Sequence, residues 1–243
     1  MVLYKPAGLI MQRGNAFKPN LVDLAKWWLK ERYAKPGRVY VGMVHRLDAP
    51  VAGVMVLART SKAAGRLSEQ FRNGTVEKIY LAVTQGRPAE SEGRLVNYLV
   101  RKGRFSSIAQ PEAPGAQKAI LTYRQIETFE NRSLLQIVLE TGRRHQIRAQ
   151  LAAIGCPIFG DRHYGAEQFL THGRIALLAA RLQFSHPTQG KQMAFECPCP
   201  EGWPWRLTGS DLNRPLWTIE TLEQFGLDLP PAHRLFRQVD HHN

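Results

Sequence analysis

The densest chemistry in the chain is His45-Arg46-Leu47-Asp48, where two basic side chains and one carboxylate fall within four residues. Ala49-Pro50-Val51-Ala52-Gly53 then turns the chain into the apolar run Val54-Met55-Val56-Leu57-Ala58, which reads as a short buried strand. Asp48 is therefore expected on a loop held by rigid structure, with cations nearby that keep its carboxylate ionised. Taken alone, the same four residues also fit a surface loop whose charges face water.

A second dense stretch is Thr141-Gly142-Arg143-Arg144-His145-Gln146-Ile147-Arg148-Ala149-Gln150-Leu151. Gly142 lets the backbone leave a strand, and Ile147, Leu151 and Ile154 sit at helical spacing, so a short helix starts near here and ends at Gly155. Arg148 falls at the margin of that stripe, from where it can pair bidentately with a partly buried carboxylate. Arg143, Arg144 and His145 at the helix start offer donors suited to phosphate. Between the two stretches, alternation over residues 75–83 puts Ile79, Leu81 and Val83 on one face of a strand. Lys78 and Tyr80 take the other face, where Tyr80 either lines a cleft beside a lysine or is simply half-buried.

The elements that must position these groups follow from pattern and punctuation. Lys5-Pro6-Ala7-Gly8 is a turn after a strand fragment. A helix spans residues 21–32, with Trp27 and Trp28 read as packing residues, and Lys35-Pro36-Gly37 breaks it. Thr60 or Ser61 caps a helix to about Arg72, with Leu67 and Phe71 facing inward. Residues 86–117 read as a loop or irregular hairpin, in which Arg101, Lys102 and Arg104 form a phosphate-contacting arm or a solvated loop. Strands follow over about 118–127 and 134–140. Phe159 to Gly165 is a glycine-bracketed loop, and Ile175 to Phe184 is either strand or helix.

Composition narrows the partners. Thirty-three Lys and Arg against twenty Asp and Glu give a net charge of +13, which points to a polyanion, most simply nucleic acid. No apolar segment approaches the length of a membrane span, and the N-terminus lacks the apolar run of a signal peptide, so a soluble, cytoplasmic protein is expected. The three cysteines, Cys156, Cys197 and Cys199, have no framework spacing and fit a reducing compartment. Cys197-Pro198-Cys199 lacks the second pair that a zinc site needs, so no metal is expected.

Six stretches, in order along the chain, resemble the RNA pseudouridine synthases of the RluA-type branch. They are Lys5-Pro6-Ala7-Gly8, His45-Arg46-Leu47-Asp48, Gly53 through Ala58, Lys78-Ile79-Tyr80, Thr141 through Arg148, and Gly160-Asp161-Arg162-His163-Tyr164-Gly165. The resemblance implies an α+β fold with a mixed, largely antiparallel central sheet flanked by helices, and a central RNA-binding cleft. It implies Asp48 as the catalytic aspartate, Tyr80 stacking on the target base and Arg148 pairing with Asp48. His45, Arg46, Lys78, Arg143, Arg144, His145 and Gln146 would contact RNA. The reaction detaches uracil, rotates it and reattaches it through C5, and needs neither cofactor nor metal. Ribosomal and transfer RNA both serve as substrates in this branch, whose members are mostly monomers.

The resemblance further implies a single catalytic domain over 1–243, with a core to about residue 210, a C-terminal extension over about 211–243 and no N-terminal S4-type domain. Three positions depart from the family. Val51-Ala52-Gly53 loses hydroxyls but keeps the glycine, Arg144 replaces a smaller polar residue, and Leu178 stands where a histidine is usual.

Competing readings are weaker. A catalytically idle RNA-binding protein on the same fold would explain the charge, but Asp48, Tyr80 and Arg148 are all retained. A kinase-like catalytic loop lacks its glycine-rich loop and its D-F-G. An Asp48/Asp161 pair for glycoside hydrolysis would use an aspartate whose loop reads as structural.

Overall fold

The computed structural model describes residues 1–12, 19–200 and 202–205, so the extension expected over about 211–243 lies outside the described residues. The chain forms two compact units, one built from Met1–Val76 with Ala179–Pro200, the other from Glu77–Leu178 with the short stretch ending at Trp205. The fold is α+β with largely antiparallel strands, as expected. Among the described residues, no helix is long and apolar enough to cross a membrane.

In the first unit, β1 (Val2–Lys5) and β2 (Gly42–Met43) run antiparallel to β3 (Ala52–Ala58), with Lys5 opposite Gly53 and Met43 opposite Leu57. On the side away from β1, β3 neighbours β9 (Leu177–Ser185), which pairs with β10 (Gln192–Glu196). All seven residues of β3 are buried, which is why the sequence shows a continuous apolar run rather than an alternation. Helix α1 (Leu21–Arg32) is capped by the Asn20 side chain, which accepts from the Asp23 amide, and α2 (Ser61–Arg72) by Thr60, which accepts from Ala63.

The second unit is a five-stranded antiparallel sheet in the order β4 (Glu77–Gln85), β8 (Arg132–Leu139), β7 (Gln117–Phe129), β5 (Glu92–Lys102), β6 (Phe105–Ala109). Helix α3 (Gln146–Ala153) packs on β5 and β6. The side-chain amide of the fully buried Gln150 fixes it there, donating to the Leu95 and Ala119 carbonyls and to Asn97 Oδ1. A polar side chain buried with its amide hydrogens spoken for sets one register of helix on sheet.

Four local expectations change. Residues 86–117 hold two regular strands, because Leu95, Asn97 and Leu99 turn towards α3 while the charges that suggested a loop face outward. The ambiguous run at 175–184 is strand β9, buried along most of its length, with Leu178 fully enclosed. Trp27 is 61% exposed and does not pack, although Trp28 meets Tyr33 edge-on. Ile154 is also exposed, because α3 ends before it and its residues 146–151 are buried on every side rather than along one stripe.

Candidate active site

In the first unit Asp48 lies on the loop joining β2 to β3, half-buried behind the buried Leu47, and its own carbonyl accepts the Val51 amide at 3.1 Å. What holds this loop is Lys5. Its side chain is fully buried, and its ammonium donates to the carbonyls of Pro6 (3.0 Å), Leu9 (2.8 Å) and Ala49 (3.1 Å). The Ala49 oxygen also accepts the Gly8 amide at 2.7 Å, from a backbone with φ of +93° that favours glycine. Burial pulls the Lys5 ammonium down to about 7, against the opposing pull of the Asp48 charge. The sequence marks Lys5-Pro6-Ala7-Gly8 as a turn but gives no sign that it braces a loop more than forty residues away.

His45 and Arg46 diverge. The Val56 amide donates to His45 Nε2 at 3.0 Å, and the ring stacks on Phe71 at 4.6 Å, so His45 is built into the unit beside β3. An accepting Nε2 places the proton of the neutral ring on Nδ1. Arg46 is exposed.

In the second unit Tyr80 lies half-buried on β4, opposite Ile137 of β8. Lys78, two residues earlier on the same face, has its pKa lowered by burial, and its Nζ would lie 3.9 Å from a Cβ placed on Gly142. The lysine therefore neighbours the turn that carries Arg143, Arg144 and His145.

That turn is braced by Gln146. Its Oε1 accepts from Thr141 Oγ1 (2.8 Å) and the Arg143 amide (2.9 Å), and its Nε2 donates to the Ile120 carbonyl (3.0 Å). At 2% exposure Gln146 lies inside the turn and braces it. Arg143 is exposed and donates to the Lys118 carbonyl, while Arg144 donates to the carbonyl of Arg104 on the β5–β6 hairpin. His145 adopts a left-handed backbone at φ +53° and holds the Tyr164 hydroxyl at 3.0 Å through Nδ1.

Arg148 is 3% exposed rather than marginal, and its carboxylate partner within this unit is Asp161, engaged bidentately at 2.6 and 2.9 Å. The guanidinium also lies 4.9 Å over the Tyr164 ring. Asp161 and Tyr164 belong to the glycine-bracketed loop. Its turn is legible in the sequence, whereas its grip on Arg148 is a tertiary contact with no local signal. With Asp161 enclosed and held by Arg148, the geometry offers no exposed second carboxylate for glycoside chemistry there.

The cysteines play no part in this arrangement. Burial raises the pKa of Cys156 and Cys197, and pushes Cys199 up to about 11. No cluster of metal-ligating side chains occurs among the described residues.

Known proteins resemble this chain over most of its length. Residues 1–153 match the family model described as RNA pseudouridylate synthase. The chain is 31% identical over 215 residues to ribosomal large subunit pseudouridine synthase D of Zymomonas mobilis, covering 83% of this chain and 67% of that protein. It is 32% identical over 204 residues to ribosomal large subunit pseudouridine synthase C of Rickettsia bellii, covering 82% and 65%. The chain thus spans about two thirds of the length of these curated relatives. Among solved structures, human RNA pseudouridylate synthase domain containing 4 is similar with a TM-score of 0.69 and 25% identity, over 82% of this chain and 85% of that one.

Proposed function

Because this chain belongs to the RNA pseudouridylate synthase family, we propose that it isomerises uridine to pseudouridine in a structured RNA. The C1′–N1 bond breaks, the uracil turns, and a C1′–C5 bond forms. C5 releases its hydrogen as a proton, and N1 regains one. Asp48 is the catalytic carboxylate, Arg148 the cation that keeps it charged, and Tyr80 the ring on which the extruded base stacks. Arg46, Lys78, Arg143 and Arg144 bind the surrounding RNA, with His45 and His145 ordering the backbone between them. The reading needs no cofactor. It rests on one observation above the others, the bracing of the Asp48 loop by a fully buried lysine, which fixes a carboxylate where a merely solvated loop would leave it mobile.

The names of the relatives favour ribosomal large-subunit RNA over transfer RNA as the substrate. Three free thiols support a reducing, cytoplasmic setting, and the family resemblance favours a monomer there.

Tritium release from RNA transcribed with C5-labelled uridine tests the proposal, since isomerisation must expel that hydrogen. Wild type releases label from ribosomal large-subunit RNA and Asp48→Ala does not. Release by neither protein from ribosomal or transfer RNA, or equal release by both, sinks the assignment.

A further inference from the structure

We propose that Tyr164 is a positioning residue that couples the β5–β6 hairpin to the guanidinium of Arg148, a role that rests on the synthase reading above. The hairpin carries Arg101, Lys102 and Arg104 around a turn at Gly103, all exposed. Strand β6 pairs only with β5 on the sheet path, so its outer edge must satisfy its amides and carbonyls elsewhere. At the buried Ser106 both are taken by one atom. The Tyr164 hydroxyl accepts the Ser106 amide at 3.0 Å and donates to the Ser106 carbonyl at 3.0 Å.

Proton accounting then fixes the third contact. The hydroxyl has one hydrogen, already given to Ser106, so His145 must donate from Nδ1 into the remaining lone pair. Tyr164 therefore ties the hairpin edge to the strained residue that opens α3. The same ring lies under Arg148 at 4.9 Å and meets Phe105, the first residue of β6 beside the hairpin turn, edge-on at 6.4 Å. Asp161, three residues earlier in the same loop, grips the guanidinium from the side.

Hydroxyl and ring thus have separable duties. The hydroxyl sets where the cationic arm stands, and the ring sets where Arg148 points. RNA phosphates that draw the arm into place also seat the ring beneath the guanidinium.

Two variants separate these duties. Tyr164→Phe keeps the ring, and its expected effect is a KM for RNA raised about 3- to 10-fold with kcat within about twofold of wild type. Tyr164→Leu removes both, and kcat falls in addition by about tenfold or more. Phe preserves the shape, so it carries the test should Leu fail to fold. Unchanged constants in both variants, or a Tyr164→Phe enzyme that loses kcat at constant KM, overturn the proposal. Hydrogen exchange at the Ser106 amide gives a readout independent of turnover, expected to accelerate in Tyr164→Phe. A wild type that isomerises no RNA defeats the synthase reading, and unchanged exchange at Ser106 defeats the coupling by itself.

Discussion

The ammonium of Lys5 reaches the carbonyl oxygen of Ala49 at 3.1 Å, across 44 positions of sequence. One strand end thereby supports the loop on which Asp48 sits, and the same nitrogen binds the Pro6 and Leu9 carbonyls of its own turn. Lys5→Met removes all three donors while nearly filling the space. The expected outcome is a loss of about 1–3 kcal/mol in urea unfolding, the range for stranding buried acceptors. Turnover drops by roughly 10- to 100-fold, since a shift of about 1 Å at a reacting group has that effect. Lowered tritium release with unchanged RNA binding would locate the loss in the loop.

The same lysine gives a stability change with pH of definite sign. Its pKa is about 7 in the folded protein and near 10.5 when exposed. Between those values the unfolded chain holds a proton that the native state has shed, so stability rises with pH across that window. Below about 7 both states are protonated, and this contribution is flat at its least favourable level. Urea midpoints of wild type should climb from pH 6.5 to 9 relative to those of Lys5→Met.

Asp161→Ala removes both carboxylate bonds to the buried guanidinium of Arg148, and the expected cost is about 1–3 kcal/mol, the range for losing hydrogen bonds to a charged group. Arg148→Met in the Asp161→Ala background should recover part of it, which a double-mutant cycle in urea would measure.

Gly53 has a φ of +138°, and a Cβ there would stand 2.6 Å from the backbone nitrogen of Ala179 and collide with its carbonyl oxygen. Both atoms are backbone and cannot swing aside. Gly53→Ala should destabilise the protein by at least about 1–3 kcal/mol, the range for overpacking, read as a fall in the urea midpoint. Ala52→Ser, by contrast, tests the absent family hydroxyl without that clash.

Replacing Arg101, Lys102 and Arg104 together by Ala should weaken RNA binding and flatten its dependence on salt. Each lost phosphate contact lowers the slope of log K against log salt by about 0.7–0.9. A filter-binding series that keeps the full slope would place the phosphate contacts elsewhere.

How much of this was legible beforehand divides along one physical line. Features set by local chemistry read through directly: the Thr60 cap, the span of α1 and the strand–turn–helix around Gly142. Features set by partners distant in sequence did not. Lys5-Pro6 read as a turn because a buried ammonium has no local signature, and Arg148 needed a carboxylate that sequence spacing could not point to within the unit. Residues 86–117 were obscured because β5 carries its charges at its ends and apolar residues on both faces, Leu95-Val96 and Leu99-Val100, so no period of two shows. Run 175–184 was ambiguous because a strand covered on both faces has no period to read.

The enclosure of the cysteines has a practical consequence. A thiol reacts as its thiolate, and all three here are held protonated at neutral pH, two of them fully out of solvent. A single cysteine introduced at Gly103, on the exposed tip of the hairpin, would thus outpace all three native ones towards a maleimide dye or a cross-linking probe. The arm can be labelled, and its approach to RNA followed by fluorescence, in the otherwise native protein.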